Sequence, residues 1–313
     1  MTRSPGMPNS IHRPLSRVLR SRFGGRRVKK IPLDAGFTCP NIDGTVARGG
    51  CVFCSNESFH PGPLPDRRGI GEQLRAGIDR ARAEPNPSEL FLAYFQTFTN
   101  THGPLERLAR VWDEALDVAG VEGLVVGTRP DCLPDGVLDH LERLAARGKF
   151  VALEIGLESA DDESLAFANR GHTVAQFADA VLRAAGRGLD VSAHVVFGFP
   201  GDDDARVEAT AGFVASLPLD GVKIHHLHVV RGTALEKLHE SGEFTPPRRE
   251  DYVRWVALFL ERVPASLAIH RLVATTPARY LVAPEWTLEA PAVAREILRT
   301  LAARGSYQGR LRS

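Results

Sequence analysis

The sequence lacks the features that mark membrane, secreted or disulfide-rich proteins. Its 313 residues include only 4 cysteines, too few for a disulfide framework. No apolar run reaches the roughly 18 residues of a membrane-spanning helix, and no apolar segment follows the basic N-terminus as in a secretory signal. With 43% hydrophobic and 25% charged residues, the composition predicts one large α/β domain with an appendage, located in the cytoplasm and without a membrane partner.

The net charge is only +1, but the charges are unevenly distributed. Nine Lys or Arg residues and no acidic residue precede Asp34. Such a segment either binds a polyanion such as nucleic acid or is a solvated leader. Apart from Phe23, no aromatic residue is interleaved with the cations for base stacking. We expect residues 1–27 to form a basic N-terminal arm, and both interpretations stay open.

Short apolar runs alternate with amphipathic helical patterns along most of the chain. Near-continuous apolar runs are typical of parallel strands covered on both faces, joined by right-handed crossovers. Six such units either close partly into a barrel or form an open, doubly wound sheet. The predicted strands are IPLDAGF (31–37), LFLAYFQT (90–97), GLVVGT (123–128), FVALEIGL (150–157), DVSAHVVFGF (190–199) and DGVKIHHLHVV (220–230).

Helical patterns between these strands include 134–147 and 173–187, the second with Thr173 as its predicted N-cap. After about residue 240 the alternation weakens. We therefore expect a core domain over 28–240 and a C-terminal, mainly helical extension over 241–313. The extension is predicted to contain helix 248–263, a strand-like segment 266–274 and helix 289–304.

Three of the four cysteines, Cys39, Cys51 and Cys54, lie in the stretch "CPNIDGTVARGGCVFC" after the first predicted strand. Loops after parallel strands gather on one face, where α/β enzymes carry their chemistry. Three thiols there indicate either a Cys3His zinc site, with His60 as a candidate fourth ligand, or an iron–sulfur cluster with one open iron. The sequence has no second CxxC-type pair, which a zinc ribbon usually carries, so the pattern favours the cluster.

The cysteine loop resembles that of the radical S-adenosylmethionine (SAM) superfamily, in a variant with longer spacing. The resemblance continues after the later strands and covers the chain from about residue 28. The whole set is similar to the YhcC-type radical SAM proteins and, more distantly, to the Elongator catalytic subunit and oxygen-independent coproporphyrinogen oxidase. The later motifs are "YFQTFTNT", "GTRPDC", "EIGLESADDESLAFANRGHT", "HVVFGFPGD" and "VKIHHLHVVRGTAL".

This resemblance implies an α/β fold, namely a partial (β/α)6 TIM-type barrel with a C-terminal extension. It also implies a 4Fe–4S cluster held by Cys39, Cys51 and Cys54. In the superfamily the reduced cluster cleaves S-adenosyl-L-methionine to a 5′-deoxyadenosyl radical, so the cofactor carries the difficult chemistry. A reductant such as flavodoxin or ferredoxin is therefore an expected partner.

The resemblance further implies positions that contact S-adenosylmethionine. Gln96 and Thr97 match the second-strand motif that meets the amino group, although the usual Gly-Gly-Glu is absent. Glu158 and Arg170 match a pair that binds the methionine part, and an arginine fork suits a carboxylate. The alternative for Arg170 is a surface ion pair with Asp161 or Glu163.

Other candidates lie nearby on successive strand ends. His194 matches a position that approaches the ribose, or else is a hydrogen-bonded core histidine. Gly198 in "GFPGD" would allow backbone to approach adenine, or else belongs to a simple tight turn. Cys132 is a candidate catalytic thiol facing the substrate, or else a small buried hydrophobe. Three further histidines are candidates for lining a polar cavity: His226, His228 and His270.

Three functional hypotheses remain. The first is a radical SAM enzyme acting on RNA, with tRNA suggested by the basic arm and the Elongator-like motifs. The second is a radical SAM enzyme acting on a small molecule or a protein side chain. The third is a non-catalytic, zinc-binding interaction module.

Overall fold

The computed structural model describes residues 10–58, 60, 62 and 64–312, so residues 1–9 of the predicted arm lie outside the described residues. The strands are β1 (Val28–Leu33), β2 (Leu90–Phe95), β3 (Val121–Thr128), β4 (Phe150–Glu158), β5 (Asp190–Phe197), β6 (Gly221–His226), β7 (Val229–Val230), β8 (Ala268–Arg271) and β9 (Leu281–Ala283). The α-helices are α1 (Leu15–Arg22), α2 (Pro40–Asp43), α3 (Ile70–Arg82), α4 (Leu105–Leu116), α5 (Asp135–Ala146), α6 (Asp162–Phe167), α7 (Val174–Ala184), α8 (Asp204–Ser216), α9 (Ala234–Glu240), α10 (Arg249–Arg262) and α11 (Ala290–Ala303).

Seven strands form one parallel sheet in the order β1-β2-β3-β4-β5-β6-β8. Since each strand pairs with the next in this sequential order, right-handed crossovers place the connecting helices on one face of the sheet. The sheet curls through 219° into a half-barrel. This confirms the predicted partial barrel, with β8 as a seventh strand. Strands β7 and β9 form a separate antiparallel pair.

The two faces of the sheet have different cores. Side chains on the outer face, such as Phe95, Leu153 and Ile155, pack under the helices in the main apolar cluster. A second, smaller cluster fills the inside of the barrel near the amino ends of the strands and includes Phe150 and Ala152. Strand β4 is buried along its whole length because both of its faces are covered.

Helix α1, from the predicted arm, closes the amino end of the barrel. Leu19 is buried in the inner apolar cluster, and the Ile269 amide of β8 donates to the Arg13 carbonyl at 2.8 Å. The solvated-leader interpretation is therefore wrong for Leu15–Arg22. This helix and the segment that joins it to β1 carry four exposed arginines with neither an ion-pair partner nor an aromatic ring to stack on among the described residues: Arg17, Arg20, Arg26 and Arg27. Arg22 is also exposed, and its guanidinium lies over the Phe150 ring.

Most element predictions hold, with two corrections. The predicted helices 134–147 and 173–187 are α5 and α7, and Thr173 caps α7 in a reciprocal capping box with Gln176. The first strand is earlier than predicted, at Val28–Leu33, and the sixth predicted run divides into β6 and β7. The division of the chain at residues 28 and 241 stays a prediction. No helix within the described ranges is long and apolar enough to cross a membrane.

Candidate active site

A cavity opens at the carboxyl ends of the strands, and the three clustered cysteines line it. Cys39 precedes α2 and is buried, as is Cys51, whereas Cys54 is exposed. Gly49 and Gly50, at φ of 84° and 76°, provide the left-handed turn before Cys51, a conformation that other residues rarely adopt. The predicted location of the thiols at the mouth of the barrel thus agrees with the structure.

Hydrogen bonds hold the cysteine loop against the segment that follows α6. The Asn41 side-chain amide donates to the Arg170 carbonyl at 3.0 Å. The Asn169 side-chain amide donates to the Gly50 carbonyl at 2.7 Å, and the Val52 backbone amide donates to the Ala168 carbonyl at 3.1 Å. These contacts fix the backbone on both sides of Arg170 relative to the thiols.

Arg170 and Glu158 form a buried ion pair inside the cavity, with Nη2 and Oε1 3.0 Å apart. Glu158 ends β4 after a register shift and has a φ of 64°, a strained conformation of the kind found at functional sites. Gly156 leaves room for the pair, since a Cβ there would lie 2.1 Å from Arg170 Nη2. The alternative surface pairing is absent, because Asp161 and Glu163 pair with the Arg206 guanidinium.

The donor groups around the thiols fit a cluster held by three protein ligands. Arg170 Nη1 lies 3.6 Å from Cys51 Sγ, and the Asn41 amide nitrogen lies 3.7 Å from the same sulfur. The Asn56 amide nitrogen lies 3.9 Å from Cys54 Sγ. Donors of this kind stabilise thiolates and adjust the reduction potential of iron–sulfur centres. Arg170 Nε is buried and has no hydrogen-bond partner among the described residues, so this polar wall can bind a further acceptor.

The alternative zinc arrangement is not formed in the part of the chain that the structure describes. The His60 ring is engaged with Gly62, at 3.1 Å from Nδ1 to the carbonyl oxygen, and His60 does not line the cavity. No group of three His, Cys, Asp or Glu side chains among the described residues is placed to hold a single metal ion.

The cavity brings together some of the other predicted positions and not the rest. Gln96 and His194 line it with Glu158 and Arg170. Thr97 lies behind the lining and its hydroxyl donates to Asp34 at 3.2 Å.

Gly198 and Cys132 are likewise outside the lining. A Cβ on Gly198 would lie 2.7 Å from the Pro247 ring, so this glycine permits packing against Pro247. The Gly198 amide donates to Asp202 at 2.7 Å. Cys132 is a buried thiol, and its backbone carbonyl accepts from the Thr101 hydroxyl. Roles for these residues in cofactor binding or catalysis stay predictions.

The predicted histidines occupy different levels of the barrel. His226 Nε2 lies 2.8 Å from the Thr287 hydroxyl, and His228 Nδ1 lies 3.2 Å from the His226 carbonyl, both at the cavity wall. His270 lies deeper, with its ring 3.3 Å from Glu154. Burial, reinforced by Lys223, lowers the pKa of His194 to about 3, so its ring is neutral at physiological pH.

Sequence reasoning missed a charged layer that forms the floor of the cavity. Glu154, in the middle of β4, pairs with Lys30 of β1 and with Lys223 of β6, the latter at 3.0 Å, and accepts from the Tyr94 hydroxyl at 2.7 Å. Burial alone would raise the pKa of Glu154, but the two lysines hold it well below its usual range. The sequence does contain one signal of this layer, namely Glu154 within the otherwise apolar run 150–157. A buried charge requires polar or oppositely charged partners.

Comparison with known families accounts for this arrangement. Residues 43–214 match the model of the radical SAM superfamily, a segment that begins after Cys39 and includes Cys51 and Cys54. The chain belongs to the radical SAM superfamily. Residues 219–303 also match the radical SAM C-terminal domain.

Relatives along nearly the whole chain include YhcC itself, which confirms the predicted resemblance to the YhcC-type family. YtqA of Bacillus subtilis is 36% identical over 294 residues, covering 93% of this chain and 90% of YtqA. YhcC of Escherichia coli is 38% identical over 266 residues, covering 85% of this chain and 84% of YhcC.

Two further matches are a tRNA uridine(34) acetyltransferase and Elp3. The tRNA uridine(34) acetyltransferase of Methanocaldococcus jannaschii is 28% identical over 162 residues, covering 51% of this chain but only 29% of that protein. The solved structure of Methanocaldococcus infernus Elp3 superimposes with a TM-score of 0.66 at 18% identity, over 90% of this chain and 64% of that one. At this identity the structural match establishes the shared fold.

Proposed function

We propose that this chain is a radical SAM enzyme that modifies RNA, with tRNA as the candidate substrate. One observation supports this chemistry most strongly: Cys39, Cys51, Cys54 and Arg170 all line the same cavity of a radical SAM barrel. Bound there, a reduced 4Fe–4S cluster would supply an electron to cleave S-adenosylmethionine and generate a 5′-deoxyadenosyl radical. The electron would come from a flavodoxin or ferredoxin.

The protein groups in the cavity suit the task of holding and orienting S-adenosylmethionine. Arg170 offers a fork of N–H donors, with Nε free, to a carboxylate. Glu158 and the Gln96 side chain supply acceptors within the same cavity for an ammonium group. His194, held neutral by burial, can donate or accept one hydrogen bond without adding a charge.

Replacing Arg170 with alanine is expected to weaken S-adenosylmethionine binding. A hydrogen bond to a charged group contributes about 1.5–3 kcal/mol, so the dissociation constant should rise about ten- to hundredfold. Equilibrium dialysis with reconstituted protein measures it, after iron analysis has shown an intact cluster. The matched control is Arg206→Ala, which removes a neighbouring ion pair outside the cavity. An unchanged dissociation constant in Arg170→Ala with full iron content would remove Arg170 from the binding site.

The RNA hypothesis is supported by the charge distribution and by the partial relatives that act on tRNA. The four exposed arginines around α1 lie at the amino end of the barrel, opposite the cavity. Strand β4 has 9 residues, and at about 3.3 Å per residue the two ends are about 30 Å apart. An RNA that contacts both ends must span at least this distance, which a tRNA does.

Replacing the four exposed arginines around α1 with neutral residues is expected to lower the affinity for tRNA. It should also make that affinity less sensitive to salt concentration. For contacts of the single-strand type each phosphate contributes about −0.7 to the slope of log affinity against log salt, so Arg17, Arg20, Arg26 and Arg27→Gln together should flatten the slope by roughly 3 units. These arginines are substituted and the segment is not deleted, because α1 packs in the inner apolar cluster. Filter binding of tRNA at several salt concentrations measures the slope.

A matched set of four exposed arginines on outer helices serves as the control for total charge. These are Arg80, Arg110, Arg295 and Arg299, also changed to Gln. Equal slopes for the two quadruple variants would mean that the surface around α1 does not bind RNA.

The substrate class itself is tested by comparing modified nucleosides. Total RNA from cells with and without the gene should differ in at least one nucleoside by mass spectrometry, with restoration by the wild-type gene and not by a Cys51→Ala variant. Identical nucleoside profiles would favour the alternative of a small molecule or protein side chain as substrate.

A further inference from the structure

The floor of the cavity carries more positive than negative charge. Two cationic side chains line it, Lys223 from β6 and Arg271 from β8, while Lys30 of β1 pairs with the Glu154 carboxylate from outside the lining. Glu154 is the one carboxylate among the described residues that pairs with the two lysines. The histidines beside them do not add charge, because burial lowers the pKa of His225 well below its ordinary value.

Arg271 has no carboxylate partner among the described residues. It lies beside Lys223 in the register of β8 and β6, and its Nη2 contacts the His225 ring, 2.7 Å from Nδ1. Its Nε is buried without a hydrogen-bond partner. Arginine has five donors and no acceptor, so a guanidinium facing a neutral imidazole keeps most of its donor capacity unused.

Lys223 also has one donor that no described residue accepts. Its ammonium group has three hydrogens, and two are used by the Tyr94 hydroxyl at 2.7 Å and Glu154 at 3.0 Å. A buried cation without compensation is costly, and an arriving anion that accepts from both groups would offset that cost. The bidentate fork of arginine suits the planar or tetrahedral oxygens of such an anion.

We propose that Arg271 and Lys223 bind an anionic group of the substrate, a carboxylate or a phosphate, at the floor of the cavity. This inference rests on the proposed function, since it names the chemistry of the substrate that the radical would attack. The site is separate from the methionine-binding wall, because Arg170 lies beside Cys51 and β4 whereas Arg271 lies on β8, beyond β5 and β6 in the sheet. Recognition at the floor would hold the substrate below the cofactor.

The test is thermal unfolding of the full chain in sodium chloride, sodium acetate and sodium phosphate at equal ionic strength. Both metal-free and cluster-reconstituted protein are used. In chloride, Arg271→Gln should raise the melting temperature by roughly 2–4 °C, because an uncompensated cation is removed. In acetate or phosphate the wild type should gain stability, and Arg271→Gln should lose that gain. A larger effect of acetate indicates a carboxylate, and a larger effect of phosphate indicates a phosphoryl group.

Two further variants make the result decisive. Arg279→Gln removes an exposed arginine that stacks on Tyr280, and it should keep the wild-type response to both anions. Arg271→Lys preserves the charge and should retain part of the response. A lower melting temperature for Arg271→Gln with an unchanged anion response would show that Arg271 is structural and would overturn the proposal. Because the metal-free arm needs neither cluster nor S-adenosylmethionine, this outcome is independent of whether the radical chemistry is confirmed.

Discussion

Replacing any one of Cys39, Cys51 or Cys54 with alanine is expected to abolish iron–sulfur binding. With three thiolates as the protein ligands, one substitution leaves two, which do not hold a four-iron cluster of this kind. The loss should be close to complete for Cys51, because that thiol also accepts from Arg170 and Asn41. Iron and sulfide analysis and visible absorption of anaerobically reconstituted protein measure the effect.

Cys132→Ala is the matched control for that experiment. Burial raises the pKa of the Cys132 thiol to about 12, so it stays protonated at neutral pH, and it does not line the cavity. The variant should keep the iron and sulfide content of the wild type. Stoichiometric zinc without iron in the wild type, or an intact cluster in Cys51→Ala, would contradict the assignment.

The second large effect concerns stability, through Glu154. Glu154→Gln removes the carboxylate that compensates Lys30 and Lys223 inside the barrel. Breaking a buried pair by removing one partner leaves uncompensated charge and costs about 3–5 kcal/mol of unfolding free energy. Urea unfolding of metal-free protein at pH 7 measures this.

The ion pair of Lys29, the residue before Lys30, provides a control. Lys29 pairs with Glu84 at the surface, where both side chains are more than one third exposed. Glu84→Gln should cost at most about 1 kcal/mol, since exposed ion pairs contribute little. Equal costs for the two substitutions would contradict the compensating role of Glu154.

The effect of Glu154→Gln should also depend on pH with a definite sign. The pKa of Glu154 is held well below its ordinary value in the folded protein. Its stabilisation is therefore complete above the unfolded pKa, about 4.3, and is lost as the pH falls through the folded pKa. The difference between wild type and variant should be largest near pH 6 and should shrink below about pH 4. It should also shrink as the pH rises toward 8, because burial lowers the pKa of Lys223 to about 8 and the lysine can then lose its charge.

The sheet could be predicted well because its strands are buried on both faces and form apolar runs. The same criterion placed β1 too late, since its first residues, Val28 to Lys30, include two lysines. Lys30 faces the inside of the barrel to pair with Glu154, which lies 124 residues later in the sequence. A hydrophobicity pattern cannot predict a contact between residues this far apart in the sequence.

The site was predictable where a local motif carries it. The cysteines lie within one loop, and Arg170 lies in a motif quoted from the sequence. The surroundings of Arg271 and of α1 depend on which elements are neighbours in the fold: Arg271 lies beside Lys223 on the adjacent strand, and Leu19 packs in one cluster with Phe150. Those neighbours follow from the closure of the sheet and not from local sequence.

The reaction proposed for this cavity is the reductive cleavage of S-adenosylmethionine. The most direct measurement is product analysis by liquid chromatography and mass spectrometry, after anaerobic incubation of reconstituted protein with S-adenosylmethionine and dithionite. We expect slow formation of 5′-deoxyadenosine and methionine even without substrate, and none with Cys51→Ala. Absence of 5′-deoxyadenosine from protein with a full cluster, or formation of methylthioadenosine alone, would contradict the account.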